Sequence, residues 1–102
     1  MFDYLDFIDM PGTKTNKDLK VLALSTCGFC KRAKAFLKEY DVAYSTLDVD
    51  TLDKETRKQI RKDFTQTHGK PITFPTLLIG DDDALTGFIK KSWLLTLELE
   101  EK

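Results

Sequence analysis

Cys27 and Cys30 are the only cysteines in the chain, and they enclose the dipeptide Gly28-Phe29. Two thiols at this spacing suit thiol–disulfide exchange. One sulfur attacks a disulfide as the thiolate, and the second releases the mixed disulfide that forms. The apolar run Val21-Leu22-Ala23-Leu24 precedes the pair and a stretch of helical periodicity follows it, so the motif falls at a strand-to-helix junction. Unpaired N–H groups of the first helical turn, near Phe29 and Cys30, can there point at the sulfur of Cys27. The positive end of the helix dipole favours negative charge on that sulfur. Lys31 and Arg32 add cations nearby, screened to the extent that they are exposed. Cys30 lies about one turn further on, on the same face, and is expected to be the more buried of the two. The reading is Cys27 as nucleophile and Cys30 as resolving thiol.

A second constellation is Thr73-Phe74-Pro75-Thr76. Proline supplies no N–H to a ladder. If the Phe74-Pro75 bond is cis, the chain turns sharply and the Phe74 backbone is free to pair with an extended substrate. If it is trans, Pro75 simply starts an edge strand, and sequence physics leaves both open. A closed zinc site needs four ligands. The chain offers Cys27, Cys30 and its one histidine, His68, so no metal is assigned within one chain. His68 itself reads as a solvent-facing residue at a helix end.

The elements that must hold these residues follow from hydrophobic spacing. Leu19 to Leu24 is nearly continuously apolar, as in a strand covered on both faces. Ala33, Phe36, Leu37 and Tyr40 set a helix over Gly28 to Tyr40. Val42 to Val49 reads as a second strand. Asp50 or Thr51 is expected to cap a charged helix that runs to about His68 and stops at Gly69-Lys70-Pro71. Phe74 to Gly80 reads as a third strand, Asp81-Asp82-Asp83 as an exposed turn, and Ala84 to Thr86 as a short return strand. Gly87-Phe88 leads into a last helix with Ile89, Trp93, Leu94 and Leu97 as its stripe.

The expected class is α/β, in the order β-α-β-α-β-β-α: a four-stranded mixed sheet flanked by three helices, the minimal thioredoxin-like layout. Residues 1–18 read as an N-terminal extension broken at Pro11-Gly12, a flap or a disordered tail, and residues 19–102 as the domain. A length of 102 residues suits one domain, expected as a monomer. A net charge of −1 gives no reason to expect nucleic acid or an anionic membrane as partner. The longest apolar run falls far short of a membrane span, and the first residues lack a basic and then apolar leader. With only two, closely spaced cysteines, a reducing, cytoplasmic setting is expected.

With these residues in hand, the chain resembles the glutaredoxins over roughly Lys20 to Leu97. Three marks in order carry the resemblance: Cys27-Gly28-Phe29-Cys30, Phe74-Pro75-Thr76 and Gly87-Phe88, supported by the helix sequence Cys30 to Leu37. It implies a cis Pro75 packed beside Cys27 and a Phe74 backbone that pairs with the thiol substrate. Gly28, Phe29 and Gly87 would line the same site. Gly28-Phe29 matches the monothiol, iron–sulfur-carrying branch, with Cys30 in place of its serine. Thr86-Gly87-Phe88-Ile89-Lys90 looks more like the glutaredoxin-like redoxins that serve ribonucleotide reductase and draw on a thioredoxin-reductase-like flavoenzyme. Lys31, Arg57 and Lys70 are candidate cations around the cleft, each of which otherwise reads as a solvated surface charge. For a glutathione carboxylate Lys70, just before the Pro75 loop, is the first choice.

The function expected is reduction of protein disulfides or glutathione mixed disulfides through the Cys27/Cys30 dithiol. No cofactor is expected to be tightly bound, with glutathione or a flavoprotein reductase resetting the pair. The alternative is a dimeric module that shares an iron–sulfur cluster through Cys27. A third reading is a redoxin that stabilises a larger complex without turnover.

Overall fold

A computed structural model describes residues 2, 4–14, 18–80 and 83–101. The elements run β1 (Ile8–Met10), β2 (Leu19–Ala23), α1 (Gly28–Glu39), β3 (Tyr44–Asp48), α2 (Lys54–His68), β4 (Thr76–Ile79), β5 (Asp83–Thr86) and α3 (Lys90–Thr96). A short 3-10 turn at Val49–Thr51 precedes α2. The sheet order is β1-β3-β2-β4-β5. β2 and β3 are parallel, and the other neighbours are antiparallel.

The central strand β2 divides the core, because successive side chains point to opposite faces. Leu19, Val21 and Ala23 join Ala33, Phe36 and Leu37 of α1 and Trp93 of α3 in one apolar layer. Leu22 joins Ile60 and Phe64 of α2 in the other. Both faces of β2 are therefore dry, which accounts for its continuous apolar run. Helices α1 and α2 start where a side chain offers an acceptor for the free N–H groups. The Cys27 sulfur accepts from Cys30 N–H at α1, and the Asp53 carboxylate accepts from Thr56 N–H and its hydroxyl at α2. α2 stops at Gly69, which takes the left-handed conformation at φ 70° and donates its N–H to Thr65.

Three expectations are corrected. The sheet has five strands rather than four, because Ile8–Met10 of the N-terminal stretch pairs antiparallel with β3, Ile8 opposite Thr46 and Met10 opposite Tyr44. The Ser45 hydroxyl donates to Asp9 at 2.7 Å and reinforces that edge. α2 is capped by Asp53 rather than by Asp50 or Thr51, since the 3-10 turn intervenes and Asp50 is used elsewhere. His68 is not a solvent-facing end residue: it is half-buried, with its ring 4.5 Å from that of Phe64. Asp81 and Asp82 of the expected acidic turn lie outside the described residues, and Asp83 starts β5. Among the described residues no helix is long and apolar enough to cross a membrane.

Candidate functional site

The carboxyl end of β2 turns into α1 through Ser25 and Thr26, and this turn fixes Cys27. Its N–H donates to the Leu24 carbonyl at 3.2 Å, and its carbonyl accepts from Lys31 N–H at 3.1 Å. The Cys27 sulfur sits 3.2 Å from the Cys30 N–H nitrogen, so the first turn of α1 aims a donor at the sulfur. Cys27 is partly exposed and Cys30 is 1% exposed, and both are free thiols. Burial, with a further contribution from the hydrogen bond to Cys27, pushes the Cys30 thiol up to about 12. A backbone hydrogen bond from Leu24 and the charge of Lys34 oppose that rise. The expected asymmetry between an accessible and a buried sulfur is present.

The second constellation meets the first. The Phe74-Pro75 bond is cis, and the Phe74 carbonyl oxygen lies 4.0 Å from the Cys27 sulfur. Pro75 is fully buried, and its carbonyl accepts from Gly87 N–H at 2.7 Å. Gly87 has φ 77°, a conformation that a side chain disfavours, so the turn after β5 can approach Pro75 in this way. The Gly87 carbonyl in turn accepts from the Trp93 indole at 3.1 Å. One chain of hydrogen bonds thus ties the proline loop to α3.

Gly28 has open space where a side chain would stand, so its lack of one is not required by packing. Phe29 is 58% exposed, beside the sulfur, with the Arg32 guanidinium 5.4 Å from its ring centroid. Lys70 is exposed and borders a hollow of about 200 Å³ with Leu85, Gly87, Ile89, Ser92 and Trp93. Arg57, on α2, is near enough to Asp50 to help hold its carboxyl below the usual range.

Two partnerships here have no signature in the sequence. Asp50 accepts from both the N–H and the hydroxyl of Ser25, at 2.9 and 2.5 Å, and so staples the turn before Cys27 to the 3-10 turn that follows β3. These hydrogen bonds are the main cause of the lowered Asp50 carboxyl. Lys34 of α1 pairs with Asp48 at the end of β3, at 3.1 Å. The parallel register, Ala23 beside Asp48, brings these residues together, and only a known register reveals it.

A model of the glutaredoxin family matches residues 14–83. A search of curated proteins returned no match. Among solved structures, the chain is similar to the glutaredoxin of Methanosarcina mazei Go1, at 25% identity and a TM-score of 0.75, over 89% of this chain and 86% of that one. It is likewise similar to the methanoredoxin of Methanosarcina acetivorans, at 28% identity and a TM-score of 0.72, over 84% of this chain and 88% of that one. A buckwheat glutaredoxin–glutathione complex aligns at 25% identity and a TM-score of 0.57, over 70% of this chain and 61% of that one.

Proposed function

The chain belongs to the glutaredoxin family of thiol–disulfide oxidoreductases, and from that premise we propose that it reduces mixed disulfides through a Cys27/Cys30 dithiol. The observation that carries this reading is the unequal setting of the two sulfurs: one partly exposed at a helix N-terminus, the other buried one turn behind it. Cys27 attacks the substrate disulfide as the thiolate, held by the Cys30 N–H. One substrate thiol leaves, and the other stays bonded to Cys27. Cys30 then attacks the Cys27 sulfur, the internal disulfide forms, and the second thiol leaves with the proton.

The substrate strand lies along the Phe74-Pro75 backbone, with Gly28, Phe29 and Gly87 around it. The hollow bordered by Lys70 and Gly87 supports a place for a carboxylate of a thiol such as glutathione, the ligand named in the buckwheat complex. Arg57 supplies a second cation. The physiological reductant is a small thiol of this kind or a flavoprotein reductase, and the targets are protein or glutathione mixed disulfides. No tightly bound cofactor enters these steps.

The test is equilibration of Cys30→Ser across graded reduced and oxidised glutathione, followed by acid quench and intact mass. The expected result is a single glutathione adduct on Cys27, with the wild type collecting instead as the internal disulfide. An unmodified Cys30→Ser beside a wild type that still forms the internal disulfide would remove glutathione and leave the dithiol reading. A wild type that forms no internal disulfide would remove the dithiol reading itself.

A further inference from the structure

Lys34 and Asp48 form a half-buried ion pair, with side chains 29% and 32% exposed. Lys34 is four residues beyond Cys30 on α1, so the two share a helical face one turn apart. It is seven residues beyond Cys27, two turns away. The Asp48 carboxylate, at the end of β3, takes the ammonium by one oxygen at 3.1 Å. We propose that Lys34, oriented by Asp48, is a positioning charge for the resolving thiol: it favours the Cys30 thiolate in the second step and leaves the first attack by Cys27 unchanged.

The inference rests on the dithiol reading above. Its physical basis is the cost of ionising Cys30. The apolar cluster that encloses this thiol draws Val21 and Ala23 from β2, Leu77 from β4, and Trp93 and Leu94 from α3. The titratable groups facing it are Cys27, Lys34 and, within the cluster, the phenols of Tyr40 and Tyr44. Burial pushes the Tyr44 phenol up, away from ionisation, and a Cys27 held in a mixed disulfide carries no charge. The Lys34 ammonium is then the one full charge in this set that favours the thiolate, and its charge lowers the Cys30 pKa as the smallest of several contributions. Asp48 acts on Cys30 through Lys34, by holding the ammonium at 3.1 Å on the helix that carries the sulfur.

In the step concerned, Cys30-SH and Cys27-S-S-R give the Cys27–Cys30 disulfide and RSH. The Cys30–Cys27 bond forms, the bond from Cys27 to the substrate sulfur breaks with its electron pair on that sulfur, and the proton released by Cys30 ends there. No outside oxidant or reductant is needed.

The two steps can be watched separately with 4,4′-dithiodipyridine, which releases one coloured thiopyridone on attack by Cys27 and a second when Cys30 resolves the adduct. With stoichiometric reagent in a stopped-flow instrument, Lys34→Met is expected to slow the second release by on the order of three- to tenfold, a reduction set by a partly screened charge at one helical turn. Its rate-versus-pH curve should move to higher pH, while the first release keeps its wild-type rate and so certifies the fold. Lys34→Arg should restore the second release. Lys38→Met, which removes an exposed charge further along the same helix, should leave it unchanged. A second release in Lys34→Met with wild-type rate and pH profile overturns the inference, as does equal slowing by Lys38→Met. Loss of the second release from the wild type itself would instead strike the dithiol reading.

Discussion

At 1% exposed, Cys30 has little water to solvate a thiolate, so ionising it places charge in a medium of low dielectric. This has a consequence for the fold as well as for the reaction. Burial raises the folded thiol from an ordinary 9.0 to about 12. Below pH 9.0 the thiol is protonated in the folded and unfolded chains alike, and its contribution to stability is fully present. As pH rises from there toward about 12, the unfolded chain ionises first and that contribution is lost. The reduced protein is therefore expected to lose stability over this window more steeply than Cys30→Ala, by urea unfolding under reductant. The buried phenol of Tyr44 is raised in the same direction, and the comparison between the two proteins cancels it. At this scale the sequence was highly informative about the sulfurs: spacing and the strand-to-helix junction suffice to rank them. It was silent on Asp50, Asp48 and Lys34, whose roles depend on residues from 14 to 25 positions away coming into register.

The elements show the same division between local and long-range causes. Helices α1 and α2 follow the 3.6-residue spacing of their buried residues, so their existence is readable without a fold. β1 is not readable in this way. Ile8-Asp9-Met10 is three residues long, all of them exposed, and the open edge of β3 makes it a strand. The connection that sets β1 there has a tight point at Gly12. A Cβ on Gly12 would stand 2.4 Å from the Ala43 nitrogen and 2.5 Å from the Val42 carbonyl carbon. These are backbone atoms and cannot swing aside. Gly12→Ala is expected to lower stability by about 1–3 kcal/mol, the range for overpacking a close contact, as measured by chemical unfolding. Because Gly12 meets the start of β3, and Cys27 follows the far end of the parallel strand β2, the dithiodipyridine reaction should keep both of its phases.

Over the whole molecule, the described residues of the N-terminal stretch are part of the packed body. The radius of gyration is 13.0 Å, which is about what a fully compacted chain of this length has. Phe2 is 3% exposed and joins Ile60 and Phe64 of α2 in the second apolar layer. The Tyr4 hydroxyl donates to Asp63 at 2.6 Å and pins the stretch to α2 from outside. Phe2→Ala is expected to cost about 3 kcal/mol, the lower end for a buried phenylalanine, read as a lower midpoint in urea. Unchanged stability would show that this layer closes without its first aromatic residue. A run that begins with acidic and aromatic residues and meets Pro11-Gly12 gives no periodicity from which to foresee this, since its partners lie across the molecule.

The hydrogen bond from the Trp93 indole to Gly87 has an optical consequence. Trp93 is the only tryptophan of the chain. It is 1% exposed, stands edge-on to Phe88 with ring centroids 5.0 Å apart, and shares its apolar layer with Cys30. Its donor ends on the residue whose own N–H holds Pro75. Excited to the red of tyrosine absorption, this protein emits from a single indole, hydrogen-bonded to the proline loop's partner Gly87 and packed in the same layer as the resolving sulfur. The molecule carries its own label, and occupancy of the cleft or closure of the disulfide can be followed by light with no dye attached.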